Sequence, residues 1–139
     1  MPPSLLPLFF LLLCFCYSAV GAAQPPEPDE LAILLDLKAS LGISDSTPGF
    51  ESWRRGSNSP CRFSGVRCDD GRSVSAIDLS RSHVPPGGTL PFASICRLAS
   101  LARLSMGSTG VSGELTPDLA GCTNLVFLDL ADNSLSGAI

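Results

Sequence analysis

The side chains able to do chemistry in this chain are few and far apart. The one histidine, His83, stands between Ser82 and Val84 with no carboxylate or cysteine beside it. A Ser-His-Asp relay through it needs an aspartate brought in from elsewhere in the fold, so His83 reads as a surface residue. Gly87-Gly88 and the glycines from Gly107 to Gly113 lack the spacing and the lysine of a phosphate-cradling loop. There is no Gly-x-Ser-x-Gly elbow, and no Val-Ala-x-Lys, His-Arg-Asp or Asp-Phe-Gly element. Neither catalysis nor a cofactor is expected. Cys61 and Cys68, in a C-x6-C spacing with no nearby histidine, do not suit zinc either.

The cysteines point to a compartment. Residues 5–20 are almost wholly apolar and are followed by the small residues Ala19, Gly21, Ala22 and Ala23. This pattern reads as a secretory signal peptide over 1–23, though no positive charge precedes the apolar run. No later run is long enough to span a bilayer. Cys14 and Cys16 leave with the leader, and the four that remain, Cys61, Cys68, Cys96 and Cys122, allow three connectivities in an oxidising compartment. Cys61 and Cys68 flank a turn at Gly65 and are paired here, which leaves Cys96 with Cys122. The net charge of −4 argues against nucleic acid as a partner.

What must position these groups is a repeat. Leu101, Leu104, Met106, Thr109, Val111, Gly113 and Leu115 recur 24 residues later as Leu125, Leu128, Leu130, Asn133, Leu135, Gly137 and Ile139. The pattern L-x-x-L-x-L-x-x-N-x-L is that of leucine-rich repeats. Alternation around Leu128 and Leu130 predicts a short strand with one buried face, and Asn133 a turn that bonds backbone groups. One such coil cannot bury its apolar side alone, so coils must stack. Thr109 replaces asparagine in the first copy. Val74, Ile77, Leu79 and Val84 match Leu101, Leu104, Met106 and Val111 at an offset of 27, giving an irregular first repeat. The 24-residue period puts position 120 over 96, which brings Cys122 within about two residues of Cys96.

A polar, proline-rich lead-in (24–28) precedes a helix opened by Asp29 and Glu30, with an apolar stripe of Leu31, Leu34, Leu35, Leu37 and Leu41. That stripe is expected to cover the open end of the stack. Trp53, among turn-rich residues, reads as the core anchor of this cap rather than a ligand contact.

Pro60-Cys61-x-Phe63-x-Gly65-Val66-x-Cys68 resembles the plant leucine-rich-repeat N-terminal cap P-C-x-W-x-G-V-x-C, with Phe63 in place of tryptophan. Cap and repeats together resemble the start of a plant leucine-rich-repeat receptor-like kinase ectodomain. The run Leu90-Pro91-Phe92-Ala93-Ser94-Ile95-Cys96, with Cys122, resembles HAIKU- and HAESA-type members. The resemblance implies an α/β fold: a right-handed solenoid with a disulfide-pinned helical cap over 29–72 and about two and a half repeats over 73–139. It implies a secreted peptide or protein ligand, a leucine-rich-repeat co-receptor, and an extracellular location, free or at the plasma membrane within a longer receptor.

Outward strand positions form columns on the concave face: Ala76, Asp78, Ser80; Arg103, Ser105, Gly107; Phe127, Asp129, Ala131. Arg103, Ser105, Phe127 and Asp129 are the candidate ligand contacts. Arg54, Arg55, Arg62, Arg67 and Arg72 make the cap locally basic. Ile139 stands where the pattern continues with proline and another repeat, so the chain reads as an N-terminal piece with a bare last coil. The alternatives are a secreted inhibitor of the polygalacturonase-inhibitor kind and a truncated product without function. No Asn-x-Ser/Thr glycosylation site is present.

Overall fold

A computed structural model describes residues 29–137. The expected leader and lead-in, and Ile139, lie outside the described residues. Helix α1 (Glu30–Ser40) begins where Asp29 caps it, its carboxylate accepting from the backbone of Ala32. Its buried side carries Ile33, Leu34, Leu37 and Lys38, continuing to Leu41. The stripe is therefore turned from the one read in the sequence, because Leu31 and Leu35 stay half-exposed. The physical reason is Lys38: its ammonium is drawn inward by the Trp53 carbonyl oxygen at 2.9 Å and by the Asp45 carboxylate, which lets its alkyl stem take a core position. Glu30 does more than complement the helix dipole, since Oε1 accepts from Val74 N at 2.8 Å and ties α1 to the first coil.

Trp53 is fully buried between Phe50, edge-on at 5.5 Å, and Phe63, stacked at 5.0 Å. Its Nε1 donates to the Ser64 carbonyl at 3.0 Å, so the indole is both packed and satisfied. Disulfides join Cys61 to Cys68 and Cys96 to Cys122, with Cα separations of 5.6 and 4.4 Å.

The main sheet has the order β1-β2-β3-β5, from β1 (Val66–Asp69), β2 (Ser73–Asp78), β3 (Arg103–Ser105) and β5 (Phe127–Asp129). β1 runs antiparallel to β2; the other pairs are parallel. Ile77 lies opposite Leu104 and Leu104 opposite Leu128, which are the 27- and 24-residue offsets of the repeat. Ile77 and Leu104 are fully buried, while Leu128 is 38% exposed on the last described coil, beside Val126 at 83%. Short helix α2 (Phe92–Ile95) and a 3-10 turn (Pro117–Gly121) fill the returns.

A second, two-stranded sheet pairs β4 (Ser112–Glu114) with β6 (Ser134–Ser136). Here Gly113 lies opposite Leu135, an offset of 22, whereas the sequence pattern equates Gly113 with Gly137. The coils return by segments of different path, so the pattern of buried side chains and the backbone ladder drift apart by two residues.

Candidate ligand-binding face

Each concave strand ends in the same backbone device. Arg81, Ser108 and Asp132 stand at equivalent places in three successive coils, all with φ near 60° (60°, 57° and 58°). None is glycine, so the repeat of this left-handed turn is not legible in residue types. The turn frees the carbonyl ladder to pass from coil to coil: Arg81 N donates to Gly107 O at 3.1 Å, and Ser108 N to Ala131 O at 2.9 Å. Just beyond, Asn133 Oδ1 accepts from Thr109 N and Val111 N at 3.1 and 3.2 Å. The coils of β2, β3 and β5 are thereby tied together beyond their strand pairing, and β1 joins them through its pairing with β2.

On that surface the register sets Arg67, Ala76, Arg103 and Phe127 in one row, and Asp78, Ser105 and Asp129 in the row two residues on. The Arg103 guanidinium lies 4.3 Å from the centre of the Phe127 ring, a cation–π contact that fixes both side chains although both are exposed. Ser105 meets neither of them: its hydroxyl bonds that of Ser80. Asp129 Oδ1 accepts from its own Ala131 N at 3.0 Å, as Asp78 Oδ1 does from Ser80 N at 3.0 Å. Of the four candidate contacts, the structure thus brings Arg103 and Phe127 together, and leaves Ser105 and Asp129 as a polar border.

A groove of about 930 Å³ crosses this face and is lined by Arg67, Asp69, Asp78, Arg103, Ser105 and Phe127 among others. Arg67 was read only as part of a basic cap. It joins the face because β1 folds back on β2 through a hairpin turn at Asp70 and Gly71, both at positive φ, closed by Arg72 N on Asp69 O at 3.0 Å. The Asp70-Gly71 pair is the sequence signal that points to this hairpin. His83 is exposed, and no group of three or more His, Cys, Asp or Glu side chains suited to a metal exists among the described residues.

Residues 27–69 match the family model for the leucine rich repeat N-terminal domain. Receptor-like protein kinase 7 of Arabidopsis thaliana is 43% identical over 111 residues, covering 79% of this chain and 11% of that protein. The chain belongs with the leucine-rich-repeat ectodomains of plant receptor kinases. Receptor-like protein kinase HAIKU2 of the same plant is 32% identical over 139 residues, 96% of this chain and 14% of its own length. The crystal structure of the Arabidopsis receptor kinase HAESA with the peptide hormone IDA and the co-receptor SERK1 superposes at a TM-score of 0.66 and 34% identity, over 78% of this chain and 18% of that one. The chain spans 11% and 14% of the two curated relatives it matches here, and the matched region is ectodomain, not kinase.

Proposed function

We propose that this ectodomain segment is a non-catalytic part of an extracellular plant receptor and holds a secreted peptide or protein on its concave face. The observation that carries the reading is the groove over β1, β2, β3 and β5, in which Arg103 and Phe127 are ordered against each other yet open to solvent. A surface with preset side chains binds with little loss of side-chain entropy. Likeness to HAESA, solved with a peptide hormone and a co-receptor, supports a peptide as the ligand class and a leucine-rich-repeat co-receptor as second partner. We read residues 1–23 as the leader that sends the chain into the secretory pathway, 29–72 as the cap and 73–139 as repeats.

The test is site-specific crosslinking. A photo-reactive phenylalanine analogue replaces Phe127 on the concave side, or Ser136 in the second sheet, and each protein is irradiated with extracellular plant peptides. Labelling at 127 and not at 136 is the expected result. Equal labelling at both, or none at 127, overturns the reading.

A further inference from the structure

Charged side chains of alternating sign cross the concave face from strand to strand, Arg67 on β1, Asp78 on β2, Arg103 on β3 and Asp129 on β5, with Asp69 further along β1 at the edge of the groove. The two guanidinium groups share one row and the Asp78 and Asp129 carboxylates the next. Among the described residues the one ion pair is Lys38–Asp45, so none of the four is neutralised by a neighbour. Three of the four are also held in place: Arg103 by its 4.3 Å stack on Phe127, and Asp78 and Asp129 each by an Oδ1 bond to the backbone two residues on. In both aspartates that bond leaves Oδ2 free of the turn.

The spacing selects a ligand shape. Neighbouring strands lie about 4.8 Å apart, so Arg67 to Arg103, and Asp78 to Asp129, are each two ladder steps, roughly 9.6 Å. A polyproline II chain rises about 3.1 Å per residue with three residues per turn, so residues i and i+3 face the same side about 9.3 Å apart. A β-strand instead repeats a side about every 6.8 Å, which fits neither row. Polyproline II also has no internal hydrogen bonds, leaving its own amides for the groove.

On the reading that the concave face binds peptide, we infer that the ligand segment is a polyproline II stretch with carboxylates every third residue facing Arg67 and Arg103. Basic side chains at the same period face Asp78 and Asp129. Charge order along the ligand, rather than net charge, is what the face reads.

The probe is a synthetic (Glu-Lys-Pro)n peptide, titrated against the full disulfide-bonded chain by fluorescence anisotropy. The control has the same composition with Glu and Lys strictly alternating and the prolines grouped at one end. The period-three peptide is expected to bind about tenfold tighter, as several exposed ion pairs acting together would give, with the advantage shrinking as salt is raised. Arg67→Glu with Arg103→Glu is expected to transfer the preference to a (Lys-Lys-Pro)n peptide over a peptide of the same composition with its prolines grouped at one end, a discrimination by order that an acidic unfolded chain does not make. Binding without preference between the two isomers overturns the inference. So does absence of binding while crosslinking at 127 to extracellular peptides persists, and the concave-face reading then stands. Absence of both overturns the two together.

Discussion

The side-chain amide of Asn133 donates to the carbonyl oxygen of Met106 at 2.8 Å, one coil back, and to Leu130 O of its own coil at 3.1 Å. Its Oδ1 is the acceptor for Thr109 N and Val111 N. One residue therefore closes its own turn and satisfies two amides of the preceding coil. Asn133→Ala strands those amides and is expected to destabilise by about 2–4 kcal/mol. Thr109→Val removes the buried hydroxyl bond to Met106 O at 2.7 Å and the longer one to Asn133 Oδ1 at 3.3 Å but leaves both amides paired, with an expected cost of about 1 kcal/mol. Urea denaturation followed by circular dichroism measures both, and equal costs would refute the inter-coil role given to Asn133.

Gly65 is where the cap meets the first coil. Its carbonyl accepts from Asp78 N at 2.8 Å, its φ is +83°, and a Cβ built there would overlap the Asp78 carbonyl oxygen. Neither backbone can retreat without breaking the β1–β2 pairing. Gly65→Ala is expected to cost about 3 kcal/mol or more, from left-handed strain plus overpacking. Gly49 has a similar φ of +89° with nothing within 4 Å, so Gly49→Ala bears the strain alone, about 1–2 kcal/mol. The difference in melting temperature between the two variants isolates the steric part.

The two disulfides close loops of unequal size, 7 residues apart for Cys61–Cys68 and 26 for Cys96–Cys122. On the chain-entropy view the first stabilises by about 2.4 kcal/mol and the second by about 3.5 kcal/mol. Double replacement of Cys96 and Cys122 by Ala is therefore expected to lower the melting temperature more than replacement of Cys61 and Cys68. The reverse order would mean that strain or packing, not loop closure, sets their contribution.

How far the sequence carries can be seen at single positions. Ile77, Leu104 and Leu128 were legible as one apolar column because strand pairing in stacked coils keeps the period of the side chains, although Leu128 on the last described coil is still 38% exposed. The β4–β6 ladder was not, since its 22-residue register is set by backbone bonds in the return segments, which leave no periodic side-chain trace. The Arg103–Phe127 contact follows from the 24-residue offset. Arg67 could not be placed by that offset, because it reaches the face through an antiparallel hairpin outside the repeat. Lys38 was invisible as a core position, since only the folded cap presents it with the Trp53 carbonyl. Charge alternation across four strands emerges only when hairpin and repeat are put side by side.

Asp45 makes the cap sensitive to acid. The hydrogen bond from Lys38, then its positive charge, holds the Asp45 carboxyl below its ordinary value of 3.8, with smaller help from Arg54 and Arg55. A carboxylate with a lowered folded-state pKa stabilises fully above its unfolded value, and that contribution disappears as pH falls through the folded one. Asp45 is solvent-exposed, so screening keeps the effect small at neutral pH. When Asp45 protonates, however, the buried Lys38 ammonium retains only the Trp53 carbonyl as partner. Asp45→Asn is therefore expected to lower stability slightly at neutral pH and to flatten its decline between about pH 5 and pH 2, so that parent and variant converge in acid. The fluorescence of Trp53, the chain's one tryptophan, reports cap unfolding directly. Parallel acid limbs for parent and variant would show that the Lys38–Asp45 contact contributes nothing to holding the cap.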